Sequence, residues 1–254
     1  MSKPFSGKVA LVTGASSGLG RHFAATLADQ GAVVFAAARR VEALEALAGE
    51  IAARGGTCHA LRLDVTDRAS VVQAMADLRA LSGQAPDIVV NNAGAAQTKP
   101  AIAIEEDDWN AILDLNLSGV FRVAQAAARE MITDGRQGSI VNIASILGLR
   151  VARAVASYAA SKAAVIHLSK ALALEWAQHG IRVNVLAPGY VETELNRDFF
   201  SSEPGQRLIS RIPTRRLGTM DELVAPFLLL CGEGGSNMTG SVVAVDGGHL
   251  ISSL

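Results

Sequence analysis

Short apolar segments alternate with longer helical patterns along almost the whole chain, and this alternation constrains the fold most. The apolar or β-branched segments cover residues 9–12, 33–37, 58–63, 88–90, 139–143, 183–186 and 242–245. Runs of this kind are typical of parallel strands buried on both faces, and the roughly ten or more residues between them can form helices. The sequence therefore predicts an α/β fold: a doubly wound parallel sheet with helices on both faces and a ligand site beyond the carboxyl ends of the strands.

A glycine-rich turn follows the first predicted strand and precedes an amphipathic stretch. Glycines let the backbone turn tightly and approach a diphosphate, which then lies at the positive end of the following helix. The first gap between glycines is one residue longer than in the commoner dinucleotide fingerprint, and a glycine cluster alone can be only a turn. Its position favours a dinucleotide site formed by Gly14, Ser16, Ser17, Gly18, Leu19 and Gly20.

A tyrosine and a lysine stand four residues apart later in the chain, at Tyr158 and Lys162. Residues at this spacing share one face of a helix. An ordinary Tyr has a pKa of about 10, and a fixed cation one turn away is expected to lower it. Such a pair can also arise by chance, so the spacing alone suggests an activated phenol without establishing one.

Several further motifs follow in order along the chain. Asn91-Asn92-Ala93-Gly94 follows an apolar strand, Ser145 stands thirteen residues before Tyr158, and Asn116 and Pro188-Gly189 complete the set. With the glycine turn and the Tyr–Lys pair, these motifs resemble the short-chain dehydrogenase/reductase family from about residue 7 to residue 248. The resemblance implies one NAD(P)-binding, Rossmann-type catalytic domain over residues 1–254, with a substrate loop at approximately 190–215.

The resemblance also assigns catalytic roles. Tyr158 would be the general acid in carbonyl reduction and the general base in alcohol oxidation, and Lys162 would lower its pKa and hydrogen-bond the nicotinamide ribose. Ser145 would donate a hydrogen bond to the developing alkoxide, although it could also cap a helix. Asn116 would hold a water molecule that links the lysine to solvent. Without the resemblance, Asn116 would be interpreted as a structural polar residue.

Further cofactor contacts come from the same resemblance. Asp64 and the backbone of Val65 would bind the adenine amino group, although Asp64 could equally cap the helix that begins near Asp67. The small residues after the fourth strand would lie close to the adenosine, and the Pro-Gly segment would fix the nicotinamide amide. Ordinary turns are the alternative for both segments, whose contact residues would be Asn91, Ala93, Gly94, Pro188, Gly189, Val191 and Thr193.

The choice between the two nicotinamide dinucleotides depends on the residues after the second strand. In NAD-preferring folds an acid there accepts from the ribose 2′-hydroxyl, whereas an arginine accommodates the 2′-phosphate of NADP. This chain has Arg39 and Arg40 there, and no acid before Glu42. The two arginines could be only a solvated helix start, and many NADP-dependent relatives also carry a basic residue at the position of Ser17. We expect NADP(H) rather than NAD(H).

The residues expected to face the substrate are mostly apolar. The contacts we predict are Ala95, Ser145, Leu147, Tyr158 and Tyr190, with further apolar side chains at Ala96, Ile146, Leu149, Val151, Leu195, Phe199, Phe200, Leu208 and Ile209. The alternating charges that include Arg207 and Arg211 are interpreted as a solvated face of the substrate loop rather than a carboxylate anchor. An arginine there could still meet a phosphopantetheine or coenzyme A.

These residues predict an NADP(H)-dependent oxidoreductase that interconverts a ketone and a secondary alcohol by hydride transfer. The alternative is a 3-oxoacyl-thioester reductase acting on an acyl carrier protein or coenzyme A. A catalytically inactive NADP-binding regulator is less expected, because Tyr158, Lys162 and Ser145 are all present. A sugar epimerase of the extended branch would carry a longer C-terminal substrate domain.

Composition excludes several other classes. The net charge is −1 with the 23 basic residues scattered, which argues against a nucleic-acid partner. Cys58 and Cys231 have neither CxxC spacing nor a His cluster, so we expect buried free thiols in a reducing, cytoplasmic compartment and no metal. The N-terminus has no apolar signal core, and the apolar stretch 223–231 is far shorter than the ~20 residues of a membrane helix. Pro226 within that stretch predicts a kink or a late helix start.

The predicted helix over residues 154–174 carries only two charged side chains, Lys162 and Lys170. A helix without a polar face is buried on both sides. One side should meet the sheet, and the other should meet a partner subunit in a homotetramer, the state that the resemblance implies. The residues expected on that second side are Ala159, Ala163, Ile166 and Ala171.

Overall fold

Seven parallel strands form one central sheet in the computed structural model, which describes residues 3–193 and 196–252. The order is β3-β2-β1-β4-β5-β6-β7, so the direction of winding reverses between β1 and β4. A ligand is expected at this reversal, beyond the carboxyl ends of the strands. The strands are β1 (Val9–Thr13), β2 (Val33–Ala38), β3 (Thr57–Arg62), β4 (Ile88–Asn91), β5 (Gly138–Ile143), β6 (Ile181–Pro188) and β7 (Val242–Val245).

Helices cover both faces of the sheet. Successive side chains of a strand point to opposite faces, so Ala10 and Val12 of β1 enter one buried cluster while Val9 and Leu11 enter another. The first cluster includes residues of α1, α2 and α9, and the second includes residues of α3, α5 and α6. The helices are α1 (Gly18–Asp29), α2 (Val41–Ala53), α3 (Arg68–Ser82), α4 (Glu106–Leu113), α5 (Gly119–Thr133), α6 (Ala156–Trp176), α7 (Arg197–Ser201), α8 (Glu203–Ile209) and α9 (Val224–Cys231).

The predicted α/β fold is confirmed, and each predicted strand overlaps an observed one. The largest difference is β6, which runs from Ile181 to Pro188 and so begins before the apolar run and ends after it. Pro226 lies in the first turn of α9, which begins only at Val224. Its missing N–H removes no helical hydrogen bond there. The predicted late helix start is therefore confirmed.

Helix α6 differs from the predicted arrangement in one respect. Ile166 is only 6% exposed and packs in the core with Val165 and Val185. It follows the buried Lys162 by four residues and therefore shares its sheet-facing side. The prediction that Ile166 faces a partner subunit is wrong, whereas Ala163 and Ala171 are exposed as expected.

The two cysteines are free thiols, as predicted. Cys58 on β3 is half-buried, and burial raises its pKa to about 11. Cys231 at the end of α9 is buried, which also raises its pKa. Over residues 3–193 and 196–252, no group of three or more His, Cys, Asp and Glu side chains could hold a metal ion. The helices of that part of the chain are all too short or too polar to cross a membrane.

Candidate active site

The turn between β1 and α1 has a backbone that only glycine adopts easily. Gly14 and Gly18 have φ values of 65° and 53°. A Cβ atom at Gly14 would lie 2.8 Å from the Cα of Ala93, and one at Gly20 would overlap the carbonyl oxygen of Gly14. Gly20 is buried, so it serves the packing of α1 against the turn rather than facing a ligand. The free N–H groups at the start of α1 suit an anion.

A cavity of about 420 Å³ lies beside this turn at the carboxyl ends of the strands. It is lined by most of the predicted cofactor residues, namely Gly14, Ser16, Ser17, Gly18, Leu19, Arg39, Arg40, Asp64, Val65, Ala93, Gly94 and Thr193. Gly20 and Asn91 are absent from its lining. The glycine turn and the two arginines beside it fit the diphosphate and the adenosine side of a dinucleotide.

Asn91 is a correction to the predicted site. Its side chain is buried and donates from Nδ2 to Oδ1 of Asn142 at 2.8 Å, and Nδ2 of Asn142 in turn donates to Oγ of Ser169 at 2.8 Å. The next residue, Asn92, lines the cavity instead and donates to the carbonyl oxygen of Thr13 at 3.1 Å. Asn91 is the last residue of β4 and its side chain lies in the buried layer, whereas Asn92 stands in the loop beyond the strand and can face the cavity.

Arg40 lies across the glycine turn. Its Nη2 donates to Oγ of Ser16 at 3.1 Å and to Oγ of Ser17 at 3.2 Å. The chain has no basic residue at position 17, but Arg40 brings a guanidinium to the Ser17 side chain from 23 residues away. Arg39 lines the same cavity. The positive charge expected near a 2′-phosphate is therefore present.

Asp64 lies in the loop after β3. Its Oδ1 accepts from the hydroxyl of Thr66 at 2.7 Å and from the backbone N–H of Thr66 at 3.0 Å. The hydroxyl bond is the main reason that the Asp64 pKa is lowered, and the charge of Arg39 adds to it. Asp67, not Asp64, caps α3 by accepting from the N–H of Ala69. Asp64 is thus an ionised cavity residue rather than a helix cap.

Lys162 is buried in α6, close to the carboxyl end of β5. Its side chain reaches the end of β5, where Nζ donates to the carbonyl oxygen of Ile143 at 2.8 Å. Burial lowers the pKa of Lys162 to about 8. Its Nζ also lies 5.7 Å from the centre of the Tyr158 ring, so the predicted pair shares one face of α6.

Tyr158 departs from the sequence expectation. Burial raises the pKa of its phenol, and a hydrogen bond with Ser145 only partly opposes that rise. The lysine ammonium is directed at the Ile143 carbonyl rather than at the phenol oxygen, and desolvation disfavours the phenolate. The pKa of Tyr158 is therefore raised, whereas the sequence predicted that it would be lowered. A phenol that stays protonated at neutral pH is suited to donating a proton.

Ser145 has the capping role considered for it, and its role toward the alkoxide stays a prediction. Its Oγ accepts from the N–H of Leu147 at 3.1 Å and so caps the 3₁₀ turn Ile146–Gly148. The same hydroxyl lies near the phenol of Tyr158, where it lowers the pKa of that phenol. The cap therefore fixes Ser145 beside the proton donor.

Asn116 occupies a π-helical turn, Asp114–Ser118, between α4 and α5. Its Oδ1 accepts from the N–H of Ala95 at 2.9 Å, and its Nδ2 donates to the Ala95 carbonyl at 2.9 Å and to Oγ of Ser161 at 3.0 Å. These bonds tie the loop after β4 to α6, in line with the structural alternative. A Cβ at Gly94 would lie 3.0 Å from Asn116 Oδ1 and 3.5 Å from Lys162 Nζ. The water-holding role stays a prediction.

A second cavity, of about 260 Å³, continues the first. Both cavities are lined by Leu19, Asn92, Gly94, Ala95 and Thr193. Together they form one cleft along the carboxyl edge of the sheet. The second cavity contains the predicted residues Ser145, Tyr158, Lys162, Pro188, Gly189, Tyr190 and Val191, together with Ile143, Ala144 and Asn196, which the sequence analysis did not single out.

Only some of the predicted substrate residues line a cavity. Ala95, Ala96, Ser145 and Tyr158 line the cleft, Leu147, Val151 and Leu208 line a neighbouring cavity of about 680 Å³, and Tyr190 lines both. The others line neither: Ile146 and Phe200 are buried, Leu149 and Phe199 are exposed elsewhere, and Ile209 is only half-buried. Leu195 lies outside the described residues.

Comparison with known proteins identifies the family of the chain. The family model for short chain dehydrogenases matches residues 8–204. The chain is 39% identical over 244 residues to 3-oxoacyl-[acyl-carrier-protein] reductase of Escherichia coli, covering 96% of this chain and 98% of that one. It is 38% identical to gluconate 5-dehydrogenase of Gluconobacter oxydans over 248 residues, covering 97% and 96%.

A solved structure is similarly close. The crystal structure of a gluconate 5-dehydrogenase from Burkholderia cenocepacia, in complex with NADP and tartrate, has a TM-score of 0.94 at 38% identity, covering 99% of this chain and 98% of that one. The chain belongs to the short-chain dehydrogenase family. The resemblance inferred from its motifs is confirmed, and so is the class of enzyme, an oxidoreductase.

Proposed function

We propose that this oxidoreductase interconverts a ketone and a secondary alcohol with NADP(H), and that Tyr158 is its general acid and base. The observation that carries the proposal is the single cleft that joins the glycine turn to Tyr158, Ser145 and the buried Lys162. A nucleotide bound along this cleft would have its reactive end beside the one phenol that Ser145 and Lys162 both approach.

NADP(H) is the cofactor. When bound, it supplies hydride to a carbonyl carbon or accepts hydride from an alcohol. The glycine turn would hold its diphosphate, Arg39 and Arg40 its 2′-phosphate, and Asp64 its adenine. The positive charges at the cavity support this choice over NAD(H), because an acid is expected there in NAD-preferring folds. The Burkholderia cenocepacia relative was crystallised with NADP, which also supports it.

The proton steps follow from the local chemistry. The raised pKa of Tyr158 keeps its hydroxyl protonated at neutral pH, ready to donate to a carbonyl oxygen during reduction. The Ser145 hydroxyl would donate a second hydrogen bond to that oxygen as negative charge develops on it. After the proton leaves, the nearby ammonium of Lys162 stabilises the phenolate.

Reduction of a 3-oxoacyl thioester is the second candidate. It is favoured by the 39% identity to the Escherichia coli 3-oxoacyl-[acyl-carrier-protein] reductase. The two candidates share the same proton and hydride chemistry and differ only in what is attached to the ketone. A panel of simple ketones, keto acids and 3-oxoacyl-coenzyme A thioesters, assayed with both nucleotides, distinguishes them.

The assigned chemistry is tested with Tyr158→Phe. General acid catalysis can contribute about 10²–10⁴-fold to a rate. Loss of the transferable proton should therefore lower turnover at least tenfold, to less than roughly a tenth of wild type. NADPH binding, followed by nucleotide fluorescence, should largely survive. Tyr190→Phe is the matched control, because Tyr190 is the only other tyrosine and also lines the cleft. Activity of Tyr158→Phe above a tenth of wild type contradicts the proposal.

We also propose that the enzyme is a homotetramer. The outward side of α6 supports this, since it exposes Ala160, Ala163 and Ala171 together with Leu174, which is 82% exposed. Small side chains allow a helix of another subunit to approach closely, and an exposed leucine gains from burial. Light scattering at micromolar concentration should give a tetramer, and a monomer contradicts the proposal.

A cytoplasmic location completes the proposal. Its support is the pair of free cysteines, Cys58 and Cys231, which suits a reducing compartment. Fractionation of the source cells should recover the protein with soluble cytoplasmic markers, and recovery with a membrane or secreted fraction contradicts it.

A further inference from the structure

The cavity of about 680 Å³ beside the catalytic cleft combines an apolar wall with a positively charged rim. It lies between the segment that follows β5, helix α8 and the 3₁₀ turn His249–Ile251. Leu147, Val151 and Leu208 form much of the apolar wall. Tyr190 lines both this cavity and the catalytic cleft, so a ligand that extends past Tyr190 from Tyr158 would enter it.

Four arginines line this cavity, and none of its lining residues is acidic. They are Arg150, Arg153, Arg207 and Arg211. Arg150 already donates to the carbonyl oxygen of His249 and to Oγ of Ser252, and Arg207 is paired with Glu203 at 2.5 Å.

The other two arginines are less constrained. The Arg153 and Arg211 side chains make no hydrogen bond or ion pair with the part of the chain that the structure describes. They belong to segments on different sides of the cavity, one before α6 and one after α8. Like charges brought to one cavity repel each other unless an anion lies between them. Both side chains are exposed, as the sequence interpretation of Arg211 as part of a solvated face expects, and both also line the cavity.

His249 adds an independent observation at the same cavity. Its side chain is buried, at 7% exposure, and its Nδ1 has no hydrogen-bond partner among the described residues. Its ring lies 5.5 Å from that of Tyr190. Burial lowers the pKa of His249, and the charges of Arg150 and Arg211 act in the same direction while Asp246 opposes them. A buried ring nitrogen without a partner is costly, so this part of the cavity wall is less completely hydrogen-bonded than the core.

We propose that this cavity binds a carboxylate or phosphate group carried by the substrate, with Arg153 and Arg211 as its main charged contacts and the His249 ring in its wall. The inference rests on the proposed ketone chemistry and specifies the class of ketone that the site selects. Arginine forms paired hydrogen bonds to carboxylate and phosphate oxygens. The carbon chain between the ketone and the anionic group would lie on the apolar wall.

The first experiment compares a medium-chain keto acid with its methyl ester as substrates of the wild-type enzyme. Charge-assisted hydrogen bonds of about 1.5–3 kcal/mol correspond to a kcat/KM roughly 10- to 150-fold higher for the acid. Arg211→Gln and Arg153→Gln should each lower kcat/KM for the acid and leave that for the ester unchanged. Arg197→Gln is the control, because Arg197 lies on the adjacent helix α7 and does not line the cavity.

A second substrate arm identifies the source of the anion. A 3-oxoacyl-coenzyme A thioester presents phosphates instead of a carboxylate. If only its turnover falls in Arg211→Gln, the site binds a carrier phosphate. If only turnover of the keto acid falls, the site binds a substrate carboxylate. Equal use of acid and ester, with no effect of either substitution on any anionic substrate, overturns the proposal and leaves the ketone chemistry standing.

Direct binding separates this proposal from the proposed function. Glutarate can be titrated by calorimetry into the protein saturated with NADPH, so that the cofactor occupies Arg39 and Arg40. Binding that weakens roughly tenfold or more in Arg211→Gln supports the anion site even if the wild-type enzyme reduces no ketone in the panel. A wild-type enzyme that reduces no ketone in the panel would overturn the proposed function alone. Glutarate binding that is unchanged in Arg211→Gln would overturn the anion site alone.

Discussion

Charged side chains have many partners at the amino ends of the strands, which we call the amino edge of the sheet, and few at the carboxyl ends, the carboxyl edge. At the amino edge, Asp87 before β4 is buried and accepts from the N–H of Val9 at 2.8 Å and from Arg136 at 2.7 Å. Arg182 near the start of β6 donates to carbonyl oxygens of residues 230, 231, 232, 235 and 238. Charges at this edge are neutralised or hydrogen-bonded several times.

At the carboxyl edge, charged and polar groups have fewer partners. Lys162 is buried with one carbonyl partner and a lowered pKa, and the Tyr158 pKa is raised. His249 has a buried nitrogen without a partner, and Arg211 lines a cavity that has no acidic residue. Saturated charges stabilise the fold, whereas unsaturated ones are available to a substrate or cofactor. Charged groups at the amino edge therefore stabilise the fold, whereas those at the carboxyl edge belong to the candidate active site.

The largest effect on folding is expected for Asp87→Ala at the amino edge. Removing the buried carboxylate leaves the N–H of Val9 without an acceptor and Arg136 without its ion pair, which costs about 2–3 kcal/mol. Urea unfolding should show that loss in the free energy of unfolding, while kcat/KM of the folded variant stays near wild type. Glu45→Ala is the control, since Glu45 is exposed on α2 and should change stability by less than about 0.5 kcal/mol. A loss below about 1 kcal/mol for Asp87→Ala would break the comparison.

Lys162→Met should have the opposite effect on stability. Between about pH 8, where folded Lys162 loses its proton, and pH 10.5, only the unfolded chain keeps the proton, so unfolding becomes harder as pH rises. Below pH 8 the buried ammonium costs the wild type up to about 3 kcal/mol. The variant should therefore be more stable than wild type at pH 7, with the difference shrinking by pH 10. A variant that is less stable at pH 7 would contradict this.

Arg39→Ala should weaken NADPH binding and spare NADH, which has no 2′-phosphate. The expected loss is roughly 10- to 150-fold, from about 1.5–3 kcal/mol. Ala38→Asp should invert the preference, because an acid repels the phosphate and accepts from the 2′-hydroxyl of NADH. Arg54→Ala, at the end of α2, is the control. A wild type that already prefers NADH would mean that Arg39 and Arg40 are only a solvated helix start.

The smallest effect is expected for Ala154→Gly. Ala154 has a φ of 61°, in the left-handed region that costs a residue with a Cβ about 1–2 kcal/mol. Glycine removes that cost but adds chain entropy to the unfolded state, so a net gain of at most about 1 kcal/mol is expected. Thermal unfolding measures it, with Ala152→Gly as a control that should destabilise. Absence of any gain would mean that this loop at the carboxyl edge is not strained.

Much of this arrangement was predictable from the sequence because it follows local rules. Apolar runs bounded by turns predict the strands, and the order of motifs brings Ser145, Tyr158 and Lys162 to one edge. The face of the sheet on which the Asn91 side chain lies was also predictable in principle. Along β4 it stands two residues after Val89, which packs on the face covered by α3, α5 and α6. Strand alternation places Asn91 on that face as well, away from the cofactor cavity.

Other features depend on contacts between distant segments. Arg40 meets Ser17 only because β2 lies beside β1. Arg150 and Arg211 share a cavity although 61 positions separate them in the sequence. The direction of the Tyr158 pKa shift depends on how deeply the phenol is buried, which no spacing reports. These features depend on tertiary packing and therefore could not be predicted from local sequence patterns.

Tyr190 also has a consequence for the timing of the reaction. Its ring lies between the catalytic cleft and the arginine-lined cavity and packs edge-on against Phe200 of α7, with ring centres 5.9 Å apart. Any displacement of α7 from its place beside Tyr190 would break this aromatic contact. Ligand exit would then be gated by one aromatic pair, and the residence time of the product, rather than hydride transfer, would respond to changes at Phe200.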